Sequence, residues 1–438
     1  MSIRVFYDEF EAKNTGSEQE IKSRFKKDIS WGTFKDDLYA VRKLCGDEAA
    51  NRWYEFEPTI ENIPNGRHSD KRFMLEFRNE SFNFKSEGID HFIGTIAGDV
   101  LRYNTISENL TVDDFEITSP EILELFPGPN VGIEGIYNEL LARTLKGINR
   151  PILAYSVKPR MGLTAVDYAK IFEEASKAKI DIVEDDERLI DPVYCPFEER
   201  VDRISALQKR YSTLYSVNIT GPQNEAIKRL NYAAKKGIKI VKLDVLVTGF
   251  DTLRAVALEI KEKYERKIAV TVYPDIIGSY RNLSRKFVLK MARFCGADII
   301  YAGSPNWSRF GHEGYQIKEA LEPIYYIHNV LSAEVPNAKH IKATLPTITN
   351  DYHASRAELV TALFRKFYNH YKYAFFVGGG ISCFPSNLKD AIKEWISCLE
   401  QASNCSIANY KGYSFDKYEE KFANIGWSIM DVEGAIKK

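Results

Sequence analysis

The sequence predicts an α/β protein: a C-terminal (β/α)8 barrel, residues 128–438, that carries the active site, preceded by an N-terminal α+β domain, residues 1–127. Three observations predict it. After about residue 150, eight short apolar runs alternate with amphipathic helical patterns. That alternation implies parallel strands joined by helices, and eight units favour a closed barrel over an open doubly wound sheet. The first 125 residues lack this alternation, and the turn-rich Phe126-Pro127-Gly128-Pro129-Asn130 separates the two regions.

In the N-terminal region, residues 3–12, 73–78 and 92–100 read as strands, and 19–27 and 35–44 as helices. The barrel strands are expected at 152–158, 180–183, 214–220, 238–245, 268–273, 298–302, 341–348 and 373–377. Helical patterns between them include 166–177, 224–235, 252–266, 283–294, 356–371 and 388–401. There is no internal repeat and no low-complexity segment.

The 438 residues suffice for two domains, and 25 Phe with 25 Tyr can fill a sizeable core. Lys and Arg number 60 against 61 Asp and Glu, so no basic excess points to nucleic acid or to a membrane surface. The start, Met1-Ser2-Ile3-Arg4-Val5-Phe6-Tyr7, runs into acids and does not read as a signal peptide, and no apolar stretch is long enough to span a bilayer. Six cysteines without paired or metal-type spacing read as reduced thiols of a cytoplasmic protein.

The most informative stretch is Asp181-Ile182-Val183-Glu184-Asp185-Asp186-Glu187, an apolar run leading into four consecutive carboxylates. Such charges raise one another's pKa unless a cation neutralises them. A divalent metal does so directly, and hard oxygen donors suit magnesium. An acidic run can also be a solvated loop, but barrel chemistry lies at the C-terminal strand ends, and polar groups converge there from every strand. Strand 1 ends in Lys158-Pro159-Arg160, strand 2 in the carboxylates, and strand 3 in Asn218-Ile219-Thr220. Strand 4 ends in Lys242-Leu243-Asp244, strand 5 in Tyr273-Pro274-Asp275, and strand 6 in Tyr301-Ala302-Gly303. Strand 7 ends in Thr349-Asn350-Asp351 and strand 8 in Gly378-Gly379-Gly380, a glycine run whose backbone N–H groups can approach a phosphate. Lys158 is expected to act as acid or base, to pair with the carboxylates, or both.

These residues have a family look. Ser156-Val157-Lys158-Pro159-Arg160-Met161-Gly162-Leu163 resembles the strand 1 motif of the large subunit of ribulose bisphosphate carboxylase/oxygenase (RuBisCO), and Asp181 to Glu187 resembles its strand 2 metal motif. Gly94-Thr95-Ile96-Ala97-Gly98-Asp99-Val100, Phe126-Pro127-Gly128-Pro129 and Phe376-Val377-Gly378-Gly379-Gly380 fit in the same order, as does Ser30-Trp31-Gly32-Thr33-Phe34. The resemblance covers nearly the whole chain. It implies a ferredoxin-like N-terminal domain, Mg²⁺ on Glu184, Asp186 and Glu187, and catalytic roles for Lys158, Arg160, Asp99, Tyr273 and Tyr301. It also implies substrate and phosphate contacts from Thr349, Gly379, Gly380 and Arg309. Thr33 and Phe34 would close over a partner subunit's site, which implies a homodimer with shared active sites.

The departures are as informative. The family's carbamylated lysine is Glu184 here, the strand 5 His-Arg pair is Tyr273-Pro274, and the strand 6 histidine is Tyr301. Its N-domain asparagine near the metal is Asp99, its N-domain glutamate is Asp28, and the lysine of the loop after strand 6 is matched only loosely, by Ser308 or Arg309. The strand 7 Gly-Gly pair is Asn350-Asp351. Glu184 carries a permanent charge but reaches roughly 3–4 Å less far than a carbamylated lysine, so it would bind an ion deeper in the barrel or through water. The resemblance therefore implies a RuBisCO-like enzyme of the non-carboxylating branch. It would act through a metal-stabilised enediolate on a monophosphorylated keto sugar or keto sugar acid, as a decarboxylase or transcarboxylase of carbohydrate catabolism. Two alternatives stay open: an enolase or isomerase of methylthio-sugar phosphates in sulfur salvage, and a non-catalytic regulatory protein on a decayed site.

Overall fold

The protein is described from a computed structural model, which covers residues 2–9, 18–31, 39–63, 72–98, 101, 110–142, 150–274, 282–305, 317–349, 354–370, 372–384 and 386–404. The first domain is a four-stranded antiparallel sheet in the order β2-β3-β1-β4, formed by β1 (Ser2–Glu9), β2 (Thr59–Ile63), β3 (Arg72–Arg78) and β4 (Leu110–Ile117). Its core is aromatic: Tyr7 stacks on Phe73 at 5.2 Å and meets Phe25 edge-on at 5.1 Å. The second domain is a closed barrel of eight parallel strands. They are β5 (Ile152–Ser156), β6 (Ile182–Glu184), β7 (Leu214–Asn218), β8 (Ile240–Asp244), β9 (Ala269–Tyr273), β10 (Ile299–Gly303), β11 (Leu345–Thr349) and β12 (Ala374–Val377).

All eight strands fall where the apolar runs predict them. One expectation in the first domain is wrong. Residues 92–98 do not form a strand, and residues 99 and 100 lie outside the described residues: Gly88–Ala97 is a helix, because Ile89, Phe92 and Ile96 recur at helical spacing and bury one face. Strand β4 escapes the sequence reading because a register shift opposite Phe6 and Tyr7 breaks its period-2 pattern between Val112 and Phe115. Of the predicted helix 35–44, residues 39 onward form helix Tyr39–Cys45 and the rest lies outside the described residues.

The barrel interior is graded. The first inward position of each strand is apolar, with Ile152, Ile182, Leu214, Ile240, Ala269, Ile299, Leu345 and Ala374 forming one cluster. One pleat period further on, six of the eight faces carry Glu184, Ser216, Lys242, Thr271, Tyr301 and Thr347, all buried, while the other two stay apolar with Ala154 and Phe376. An apolar floor thus supports a polar tier just below the mouth. Helix Ala165–Lys177 delivers the chain to β6. Its start is set by a capping box in which Thr164 Oγ1 accepts from Asp167 N at 3.2 Å and Asp167 accepts from Thr164 N at 3.0 Å.

The two domains are joined by reciprocal caps. Asp251 accepts from the N–H groups of Ile89 and Asp90 at 2.9–3.0 Å, and Asp90 accepts from those of Phe250 and Asp251 at 2.8 and 3.3 Å. Each aspartate therefore serves the first turn of the other domain's helix. No helix among the described residues is long and apolar enough to cross a membrane, and no disulfide joins the five described cysteines.

Candidate active site

The carboxylate run contains no basic residue, yet every acid in it has found a cation from another element. Asp181, at the barrel's N-terminal end, takes a bidentate contact from Arg150 at 2.7 and 3.1 Å. Asp185 faces away from the barrel axis. Arg200 approaches it at 3.2 Å, the Tyr215 hydroxyl and the Asn218 N–H donate to it, and burial pushes its carboxyl up. These two acids hold structure. They do not reach the mouth.

Glu184 points into the barrel. Its Oε1 accepts from Lys242 Nζ at 2.7 Å, from the Tyr301 hydroxyl and from Ser156 Oγ at 3.3 Å, and its Oε2 accepts from Ser216 Oγ at 3.2 Å. Burial raises its pKa, opposed by the Lys242 ammonium and by the hydroxyl donors. Lys242 Nζ also donates to the Asp185 carbonyl at 3.1 Å and lies 5.2 and 5.1 Å from the ring centres of Tyr273 and Tyr301. An ammonium between two aromatic faces and one carboxylate is well held despite being 1 % exposed.

Asp186 and Glu187 lie above this tier. Asp186 pairs with Lys158, accepts from Arg188 N at 2.9 Å and has Arg160 Nε at 3.6 Å; Arg160 Nη2 lies 2.9 Å from Glu187. Burial pushes the Asp186 carboxyl up, but Lys158 and the Arg188 N–H outweigh it and hold the pKa below its ordinary value. The Asn218 side-chain amide donates to the carbonyls of Asp186 and Glu187 at 3.3 and 3.0 Å and fixes the turn after β6. Lys158 stays partly exposed at the mouth and Arg160 is half-exposed.

The glycine run after β12 has a second use. A Cβ on Gly378 would lie 2.7 Å from Lys158 Cε and 3.3 Å from its Cγ, so the lysine stem crosses ground that only glycine leaves open. Gly379 and Gly380 open the short helix Gly379–Ser382, which Trp395 Nε1 holds by donating to the Gly380 carbonyl at 3.3 Å. Tyr273 meets Tyr301 edge-on at 4.7 Å, and Thr349 ends β11 at the same rim. Asp99, Thr33, Phe34 and Arg309 lie outside the described residues, as do Ser308, Asn350 and Asp351.

The structure thus gathers Lys158, Arg160, Asp186 and Glu187 at the mouth, and Glu184 and Tyr301 one tier below. Sequence reading put Lys242 at a strand end but gave it no role. A lone lysine two residues beyond Ile240 in an apolar run was the available signal, since that spacing places it on the inward face.

The magnesium expected on Glu184, Asp186 and Glu187 meets a donor set already satisfied. Three carboxylates face three protein cations, Lys242, Lys158 and Arg160. Glu184 is bonded through both oxygens. Among the described residues no group of three or more His, Cys, Asp or Glu is arranged to hold a metal ion. As placed, these residues do not fit the ion. A cavity of about 400 Å³ lies at the opposite end of the barrel, lined in part by His328, His370, Lys342 and Pro346, and is remote from these groups.

Residues 136–423 match the family described as ribulose bisphosphate carboxylase large chain, catalytic domain. The chain is 25% identical over 416 residues to a ribulose bisphosphate carboxylase of Pyrococcus horikoshii, covering 90% of each chain. It is 30% identical over 197 residues to a ribulose bisphosphate carboxylase-like protein of Archaeoglobus fulgidus, covering 42% of this chain and 43% of that one. Its fold superposes on the dimeric archaeal RuBisCO of Hyperthermus butylicus with a TM-score of 0.71 at 21% identity, over 97% of this chain and 94% of the other. A barrel with lysine and carboxylates from its first two strands at the mouth, and a family match spanning that barrel, agree: this chain belongs to the RuBisCO large-chain family.

Proposed function

We propose that this chain is an enzyme that forms an enediolate from a singly phosphorylated keto sugar or keto sugar acid and carries it on in a decarboxylase- or transcarboxylase-type reaction. On this reading it does not carboxylate ribulose bisphosphate. The observation that carries the proposal is the Lys158–Asp186 pair at the mouth, with the lysine stem laid over Gly378. In its neutral form Lys158 can take a proton from the carbon beside a carbonyl, and the ammonium so formed is held by Asp186. Arg160, half-exposed beside Glu187, is the proposed contact for an anionic group of the substrate. The backbone at Gly379 and Gly380, with Thr349, is the proposed phosphate contact, joined by Arg309 from the loop after β10. Tyr301 and Tyr273 hold the Lys242–Glu184 tier beneath the reacting carbon, and Asp99 is a proposed further acid.

Against carboxylation stands Glu184: the position offers no lysine amine to react with carbon dioxide, and its carboxylate is locked to Lys242. The family is generally metal-dependent, but the donor set described above does not fit magnesium, so no step here passes through a metal. We also propose a cytoplasmic homodimer in which Thr33 and Phe34 complete the partner's site. The dimeric assembly of the Hyperthermus butylicus protein supports the homodimer.

The test is exchange of the carbon-bound proton beside the carbonyl in heavy water, followed by NMR. The panel comprises singly phosphorylated keto sugars, keto sugar acids, methylthio-sugar phosphates and ribulose bisphosphate. The expected result is exchange with a keto sugar or keto sugar acid monophosphate, lost in Lys158→Ala. Exchange confined to methylthio-sugar phosphates would move the reading to sulfur salvage, and carboxylation of ribulose bisphosphate would overturn it.

A further inference from the structure

Glu184, Asp186 and Glu187, the carboxylates on which the resemblance would place a metal, are neutralised here from within the chain, and one of the neutralising cations is out of solvent's reach. Glu184 is 0 % exposed and Lys242 is 1 % exposed. Their contact is one of seven that hold the pair: Lys242 also meets the Asp185 carbonyl and two ring faces, and Glu184 also meets Ser156, Ser216 and Tyr301. A divalent ion could reach Glu184 only by driving the ammonium off. Lys242 would then be a buried cation with its carboxylate taken and a doubly charged ion beside it, an arrangement that low dielectric penalises heavily. The ion would also need oxygens from Asp186 and Glu187, which Lys158 and Arg160 already engage.

We infer that Lys242 is the resident cation of this site, filling the charge-balancing place that a metal ion holds elsewhere in the family, so that the protein neither requires nor binds magnesium there. Lys242 is a positioning residue. It holds Glu184 aimed inward through their 2.7 Å contact, and it leaves Arg160, half-exposed at the mouth, as the group that meets negative charge on a substrate. This rests on the enediolate reading for its catalytic meaning, but the metal statement is tested without any substrate.

The experiment is isothermal calorimetry of the full-length protein with MgCl₂ and with MnCl₂, together with metal analysis of protein purified without chelator. Wild type is expected to show no saturable heat and less than stoichiometric divalent metal. Lys242→Gln, which keeps a hydrogen-bond donor and loses the charge, is expected to show saturable Mg²⁺ or Mn²⁺ binding at least roughly 10-fold tighter than the weakest affinity the titration detects, the scale on which groups around a ligand set tune it. Adding Glu184→Gln to that variant should abolish the gain. Stoichiometric binding by wild type that Glu184→Gln removes overturns the inference, and so does a folded Lys242→Gln that gains nothing. Should Lys242→Gln not fold, Lys242→Met replaces it, and the wild-type titration stands alone as a decisive measurement. Failure of the exchange assay on every substrate would sink the functional reading while leaving the metal result intact.

Discussion

At the scale of single residues, the acidic segment after β6 divides into acids that hold the fold and acids that face the mouth, and the partner decides which is which. Asp185 is the structural one. Arg200 is fully buried against it and also donates to the carbonyls of Cys195 and Ile190 at 2.9 and 2.8 Å. Removing the carboxylate leaves a buried guanidinium without its counter-charge. Asp185→Ala is therefore expected to destabilise the protein by about 3–5 kcal/mol, read from urea unfolding midpoints. Gly378 is the opposite case, a residue whose absence of a side chain matters chemically. Gly378→Ala should displace Lys158, abolishing proton exchange while the unfolding midpoint moves little; retained exchange would show that the lysine stem can detour.

At the scale of elements, the helix ends carry the joint between domains. Asp90 and Asp251 each satisfy N–H groups at the start of the other's helix, at Gly88–Ala97 and Phe250–Lys263. Asp90→Ala should cost about 1 kcal/mol, and Asp90→Asn, which keeps a capping oxygen, much less. Burial, and secondarily the nearby Asp251, raise the Asp90 pKa, so the asparagine also relieves a like-charge contact. The floor of the barrel holds a second acid of this kind. Asp298 accepts from the N–H groups of Val131, Gly132 and Val270 at 2.7–2.9 Å, and burial pushes its pKa up to about 6. A carboxyl whose folded pKa exceeds its unfolded value binds its proton more tightly when folded. Its stabilising contribution is complete below about pH 4 and is lost as pH rises through about 6. Denaturation midpoints at pH 5 and pH 7 should show this fall in wild type, and a smaller one in Asp298→Asn.

At the scale of the whole molecule, the barrel is a rigid frame whose interior changes from apolar to charged within one pleat period. Substrate contacts expected of Thr33 and Phe34 come from the other domain, and in the proposed dimer from the other subunit. Mixing Lys158→Ala with Phe34→Ala should then restore part of the exchange activity that each lacks alone, because one site of a mixed dimer is intact. An inert mixture that nonetheless contains mixed dimers would confine each site to one subunit.

What the sequence determined by itself was the frame. Eight apolar runs at regular spacing allow few arrangements other than parallel strands with helices between them, and a strand's emergence from the core places its last polar residues at the mouth. Lys158, Arg160, Glu184, Asp186 and Glu187 were legible for that reason. The first domain was less so. A helix at Gly88–Ala97 buries residues at a spacing that a short apolar run does not separate from a strand, and β4 hides its alternation in a bulge. Lys158 was legible as a partner of the run, and it pairs with Asp186; the partners of the other acids were decided only by tertiary structure. Lys242 stands 58 positions from Glu184 and Tyr301 stands 117 away. Barrel closure makes them neighbours, and no local pattern encodes which inward side chain will face which across the axis. The acidic run announced that positive charge had to come from somewhere. The fold supplied it from five protein side chains, Arg150, Lys242, Arg200, Lys158 and Arg160.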